Sequence, residues 1–570
     1  MLDTIRKTIV EHKIFVAIFL LAAIIIFFQI NLVDIIGDDS HYSSRAIGLV
    51  DFMFGDKQPT PLNIFDHYPW WANFSYHDHP PLLFLIQHLF LKINPNSFFS
   101  KLPYALFSLA TLLFTYLIVT KKHNKNTASL TAILLALNNL FIWSARSAYL
   151  EAGAVFFIII SIYFFNKFIK NQKYWPLLGI SIGLTLITKY TTFFIIPSFL
   201  TYLIIFKRDI FKKHYLYLAI AISILIFSPV IIYNAGMFSA LGHFDLEFSA
   251  VFNQNNPWQF DRNLNHNYLT SLWGTVKSMA NTMSWPLISL SIISIIYSII
   301  KAKNKLILIL LLFLTLQFVI ISPTERYMPL YAPFLSIVLA VFLYDLYKLI
   351  KSKYLIITSK CCLFLLLIYL AFFSFNNQIF AKKIETYTGW LSSPLKSNNY
   401  GNSQLDQYLN QLVKNKYITN KIGAGLIDST QLQNMRQKQK RLQKYSQIQP
   451  NTKNLEEFKA IIVTDQNINW FSKVWLFEKR IFYQNIPLIN PTNLYSFYQQ
   501  GVDIEEFYFI KATEYAKLKS SKYISDNMSD KYESVFKAKD IKPETTIYRL
   551  DGQPAFKIYH YQASKHGQFF

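Results

Sequence analysis

The sequence predicts a polytopic α-helical membrane protein followed by a soluble mixed α/β domain, and three observations carry that expectation. Of its 570 residues 52% are hydrophobic and only 16% charged, and apolar runs of membrane-spanning length recur up to residue 375. Basic residues gather in short clusters between those runs, so the formal net charge of +23 reads as membrane topology and not as a nucleic-acid footprint. Beyond residue 375 the chain turns rich in Asn, Gln, Lys and Tyr, with short strand-like runs such as "AIIVTD" (460–465) and "AFKIYHY" (555–561).

In chain order the apolar segments lie at about 14–33, 102–120, 127–143, 149–168, 174–188, 191–206, 215–233, 284–300, 306–322, 328–347 and 355–375. The first follows Arg6, Lys7 and Lys13 and is too long for a signal-peptide core, so it is expected to stay as an uncleaved helix. Clusters at Lys121/Lys122/Lys125, Lys167/Lys170/Lys173, Lys207/Arg208/Lys212/Lys213, Lys301/Lys303/Lys305 and Lys348/Lys351/Lys353 all fall on one side if there are eleven spans. The positive-inside rule then makes that side, and the N-terminus, cytoplasmic. Residues 81–93 are apolar but short, and counting them as a span would invert every later cluster. They are expected to form an interfacial or re-entrant helix after Pro80-Pro81.

This bookkeeping divides the chain into a transmembrane domain, 1–375, and a soluble extracytoplasmic domain, 376–570. The outer face carries a first loop at 34–80, a second at 234–283 and the short connection "SPTERYMP" (322–329). Cys361 and Cys362 are neighbours in an apolar run and offer no disulfide framework.

Ionisable residues concentrate on that outer face. Asp38 and Asp39 open a stretch whose residues 40–54 read as a helix, with Asp39 or Ser40 as its cap. Asp38, Tyr42 and Arg45 share one face of it by their spacing. His77, Asp78 and His79 precede the double proline, where His-x-His beside an acid has metal-ligand character but also suits a solvated turn. Arg146 and Glu151 flank a helix start, Lys189 interrupts two apolar runs, and Arg326-Tyr327 lie in the short connection. Ionisable groups at membrane depth are costly, so such a set points to function. Carboxylates suit proton transfer from a hydroxyl, or hold a metal that does so; cations suit a phosphate leaving group. No Walker-type loop and no Gly-rich turn after a strand appears, which argues against ATP-driven work.

The ordered set "GDDSH", "HPPL", "ARSAYLEA", "TKYTT" and "RYMPLYAP" resembles the polyprenyl-phosphate-sugar-dependent glycosyltransferases of the GT-C fold, over about residues 10–350. The resemblance is to protein O-mannosyltransferases and the lipid A aminoarabinose transferase. It implies inverting transfer of a sugar from a polyprenyl-phosphate donor to an extracytoplasmic acceptor, a glycolipid, glycan or protein hydroxyl. By that resemblance Asp38 holds the essential acidic position, Asp39 its acidic neighbour, and Glu151 a second carboxylate. Arg326, Tyr327, Lys189, Arg45 and Arg146 become candidates for the donor phosphate, and His41, Tyr42, His77 and His79 for the substrate cavity. A divalent metal is left open, with Asp38, Glu151 and His79 as its candidate ligands. Aminoarabinose transferases tend to carry Arg where this chain has His41, and Lys where it has His79, so the sugar is not fixed by the resemblance. A bacterial cytoplasmic membrane is the expected location. A transporter or lipid flippase is the alternative, but it requires charges within spans and helices broken at mid-membrane. A scaffold using its tail for binding is the third reading.

Overall fold

The computed structural model describes residues 11–51, 58–258, 267–321, 325–379, 399–415, 461–480, 488–499, 504–516 and 528–570. Arg6, Lys7, parts of both long loops, residues 322–324 of the short connection and much of the tail before residue 461 lie outside the described residues.

Each of the eleven apolar segments is helical. They form α1 (Lys13–Phe27), α4 (Ser97–Lys122), α5 (Lys125–Ala136) with α6 (Asn139–Arg146), α7 (Glu151–Lys170), α8 (Trp175–Leu186), α9 (Ile195–Phe206), α10 (His214–Leu241), α13 (Trp285–Ile300), α14 (Lys305–Ile321), α15 (Ala332–Leu349) and α16 (Lys353–Gln378). Between them sit α2 (Asp38–Gly48), α3 (Leu82–Leu91), α11 (Leu246–Val251) and α12 (Tyr268–Met283). Among the described residues six helices are long and apolar enough to cross a membrane, or seven if a bent pair counts as one span. The remaining segments are helices of 12 to 17 residues.

Local chemistry explains where helices start and stop. Asparagines accept backbone N–H groups at the heads of three of them: Asn96 from Phe99, Asn124 from Thr127, and Asn138 from Leu140 and Phe141. The last of these restarts the helix, so the expected span 127–143 is bent by 63° between α5 and α6. Proline stands in the first turn of α8, α13 and α15, where its missing N–H costs nothing. The second long loop is more helical than its composition suggests. α10 runs on to Leu241 and stops where Gly242 takes φ +77°, and α12 fills the loop's far end. Residues 81–93 yield the ten-residue α3, about 15 Å long and half the span of a ~30 Å bilayer core.

α15 is buried through Ala332–Val341, whereas α16 exposes Tyr354, Leu355, Phe364, Leu365 and Phe372. Side chains on α10, α13 and α14, among them Leu225, Ile300 and Leu312, are exposed as well. Water would penalise that apolar area at about 25 cal/mol per Å². Lipid does not, and the helices satisfy their own backbone groups. The chain is a multi-pass membrane protein.

The strand-like runs 460–465 and 555–561 coincide with β1 (Ile461–Thr464) and β5 (Pro554–Gln562). With β2 (Leu488–Ile489), β3 (Glu506–Ala512) and β4 (Thr545–Tyr548) they make a mixed sheet ordered β2-β1-β3-β5-β4. β1 pairs in parallel with β2 and β3; β5 pairs antiparallel with β3 and β4. Phe507 and Phe509 on β3 pack on Tyr532 and Phe536 of α19 (Met528–Ala538), which follows α18 (Pro491–Gln499).

This region is seated on the membrane helices through α17 (Asn402–Asn415). The carboxylate of Asp34 accepts the N–H of Tyr400 at 2.5 Å and of Ser403 at 2.8 Å. Asn399 donates to the carbonyl of Leu32, and Lys479 to that of Pro95. Leu405, Leu409 and Trp475 join the same apolar core as the helix bundle.

Candidate active site

α2 begins at Asp38, earlier than expected, and ends at Gly48, after which Leu49 turns left-handed at φ +50°. Its cap is Gly37, not Asp39 or Ser40. A Cβ at Gly37 would overlap the Tyr149 hydroxyl, so glycine is what lets that phenol approach. Tyr149 Oη in turn accepts the Asp38 N–H at 3.2 Å.

From Asp38 a connected set of side chains crosses the bundle. Arg326 Nη1 donates to Asp38 Oδ2, and its Nη2 donates to Tyr327 Oη at 2.8 Å. The guanidinium lies 4.9 Å from the centre of the Tyr327 ring, and Lys189 Nζ lies 4.8 Å from the same ring. Lys189 Nζ then pairs with Glu151 Oε1 at 2.5 Å. Glu151 and Lys189 are buried, whereas the side chains of Asp38 and Arg326 are 30% and 21% exposed. Each end of the set is thus an ion pair, one open to solvent and the other enclosed. Tyr42 lines the same region, edge-on to Tyr149 with ring centres 6.2 Å apart, its hydroxyl 3.3 Å from His79 Nε2.

A second cluster lies behind α2. Arg45 Nη1 is 2.7 Å from Asp78 and its Nη2 3.4 Å from Asp51, while His77 Nδ1 is 2.9 Å from Asp51. Burial raises the Asp78 carboxyl, but Arg45, His77 and His79 outweigh it and hold it well below the usual range. Arg45 is thus occupied by two carboxylates and is not free for a phosphate as the sequence suggested. Among the described residues, Asp51, His77 and Asp78 are the one group of three that brings ligand atoms within 4.8 Å of one another. The expected metal set of Asp38, Glu151 and His79 does not bring its ligand atoms together in this way, and Asp38 and Glu151 are each paired with a cation instead. Asp51, His77 and Asp78 do not fit a metal as arranged either, since Arg45 already supplies the positive charge between the carboxylates.

Two further expectations need correction. Arg146 is buried and donates to the carbonyls of Ile25, Ile26 and Phe28 at the end of α1, which makes it a helix C-cap and not a phosphate ligand. Asp39 is buried with Oδ1 accepting the Gly37 N–H, away from Arg326, and burial pushes its carboxyl up to about 6. His41 is buried too, and burial with Arg45 nearby holds it down at about 4, a neutral ring near pH 7.

Sequence reasoning missed Tyr149, although it stands inside "ARSAYLEA", and missed Asp51 and Asp34, which no local motif marks. It missed Asp245 as well, which caps α11 through the Phe248 N–H and accepts from Tyr190 and Asn234. The two long loops meet there. Leu246 N–H donates to the His77 carbonyl at 2.8 Å, and Trp258 stacks on the His77 ring.

This architecture is similar to the ArnT fold. Superposed on the crystal structure of ArnT from Cupriavidus metallidurans in the apo state, the chain gives a TM-score of 0.52 at 12% identity, covering 97% of this chain and 98% of that one. More particularly, residues 78–233 match the family model described as dolichyl-phosphate-mannose-protein mannosyltransferase. The chain is similar to ArnT from the same organism bound to undecaprenyl phosphate at a TM-score of 0.49 and 11% identity, covering 97% and 99% of the two chains. An uncharacterized protein of Aquifex aeolicus (strain VF5) is 28% identical over 250 residues, 39% of this chain; the match spans about half of that relative, 48%.

Proposed function

We propose that this protein is a membrane glycosyltransferase that moves a sugar from a polyprenyl-phosphate donor to an acceptor hydroxyl with inversion. One observation carries the reading: the continuous set Asp38–Arg326–Tyr327–Lys189–Glu151, solvent-accessible at its carboxylate end and cationic in its middle. The matched family description, which names a polyprenyl-phosphate sugar, supports the same chemistry.

In the proposed reaction the acceptor oxygen attacks the anomeric carbon from the face opposite the phosphate. Its proton passes to Asp38 as the carbon–oxygen bond to the lipid phosphate breaks. Arg326 leaves the Asp38 carboxylate for the departing phosphate, which frees the base as the leaving group gains its donor. Glu151 holds Lys189 toward the same phosphate, and Tyr327 fixes both cations. Lysine clusters between the helices support a cytoplasmic N-terminus, and the bacterial relative supports a bacterial cytoplasmic membrane with residues 376–570 as an extracytoplasmic domain.

The test is incubation of the purified protein with radiolabelled polyprenyl-phosphate mannose and aminoarabinose in the presence of lipid and peptide acceptors. The expected result is label in an acceptor, abolished by Asp38→Asn in a protein that still folds. Near-normal transfer by Asp38→Asn removes Asp38 from the mechanism; translocation without cleavage supports a flippase instead.

A further inference from the structure

A second polar site lies between the C-terminal region and the membrane helices. α17 is amphipathic: Leu405, Leu409 and Leu412 are buried in the core, while Ser403, Asp406, Gln407, Asn410 and Gln411 recur at i, i+3, i+4, i+7 and i+8 on another face. That polar face looks across a gap at Asn31 and at the turn Asn94–Phe98, which opens α4. The two surfaces do not close on each other. They leave a cavity of about 690 Å³, within the ~300–1,000 Å³ of small-molecule sites.

The lining decides what fits. None of its residues is cationic, and its one charge, Asp406, is paired from behind with Lys479 at 2.9 Å and Arg480 at 2.8 Å. A phosphate would meet no cation in the lining itself, since Lys479 and Arg480 are buried behind it and engaged with Asp406, and an acyl chain would find mostly amides. The side chains of Asn31, Asn94, Gln407 and Gln411 are exposed and make no hydrogen bond to other described residues. Each offers a carbonyl and an NH₂ group, the donor–acceptor pair that matches neighbouring hydroxyls. Phe98, half-buried at the wall, adds an apolar ring for the C–H face of a pyranose.

We infer that this cavity binds a neutral saccharide. Its existence does not depend on the transferase reading; its role, holding the saccharide part of an acceptor, does rest on it. Saturation-transfer NMR on the full-length protein in a detergent without a sugar headgroup tests the site. The probes are methyl α-mannoside, diacetylchitobiose and maltotriose, with inorganic phosphate as competitor. The expected result is signal from at least one saccharide, reduced more than twofold in Asn94→Ala/Gln407→Ala/Gln411→Ala and in the cavity-filling Gln407→Trp, and unaffected by phosphate. These positions are exposed, so folding is expected to survive. Signal from no saccharide, signal unchanged in both variants, or displacement by phosphate overturns the inference. Because no donor is present, saccharide binding without transfer in the radiolabel assay would sink the transferase reading alone, and transfer without binding would sink this one alone.

Discussion

Arg326 donates to the carboxylate of Asp38 across 288 positions of sequence, tying the turn Glu325–Tyr331 to the first turn of α2. A general base held by a guanidinium is silent until something competes for the cation. In the proposed reaction that competitor is the donor phosphate, so substrate binding itself would release the base.

Arg326→Met should therefore damage the chemical step more than donor binding. Loss of one preorganised donor at a developing charge costs about 10²–10³ in kcat. Arg326→Lys should recover part of it, because a lysine keeps the charge but not the fork that reaches Asp38 and Tyr327 together. Steady-state transfer rates check this, and a wild-type rate in Arg326→Met would refute the gating role.

Glu151 and Lys189 form a buried pair, and breaking such a pair from one side leaves an uncompensated charge costing about 3–5 kcal/mol. Glu151→Ala and Lys189→Met should each lower the midpoint of thermal unfolding in detergent, and the double variant should lie closer to wild type than their sum. Simple additivity would mean that the two side chains do not depend on each other.

How far was this legible beforehand? The helices were, because long apolar runs and intervening lysines are local in sequence, and so were β1 and β5 with their alternating or β-branched residues. The bend at Asn138 was not, since an Asn-Asn pair inside an apolar run reads as a tolerated polar spot until its side chain is seen capping the next helix. At the site, Asp38, Glu151, Lys189 and Arg326 stood out as charges at helix ends. Their pairing did not: composition gave Arg45 and Arg146 the same standing as Arg326. Only the fold reveals that Asp51 and Asp78 take the first and backbone carbonyls the second. Asp34 looked like any residue at a membrane exit.

Asp34 should prove to be the anchor of the C-terminal region. It accepts two backbone N–H groups at the start of α17, where the helix dipole favours a carboxylate. Hydrogen bonds to a charged group are worth about 1.5–3 kcal/mol each. Asp34→Ala is expected to speed amide exchange across residues 399–412. It should also slow transfer, because the turn Val474–Glu478 of the same region packs against α2. Exchange indistinguishable from wild type would show that apolar contacts alone seat α17.

The last prediction concerns pH. Asp245 is buried at the head of α11, and burial, only partly offset by Tyr190, Phe248 and Asn234, pushes its carboxyl up to about 7, with the Glu247 charge adding to the rise. In the unfolded chain the same group titrates near 3.8. Between about 4 and about 7 the folded protein thus holds a proton that the unfolded chain has lost, and stability must fall as pH rises through that window. The strain falls on the contact between the two long loops, since Leu246, next in sequence, donates to the His77 carbonyl. Amide exchange in residues 243–252, corrected for its intrinsic pH dependence, should therefore accelerate from pH 5 to pH 8. In Asp245→Asn, which cannot ionise, that extra acceleration should vanish even if the variant is less stable throughout. A profile in Asp245→Asn that still steepens between pH 5 and pH 8 would assign the effect to another group.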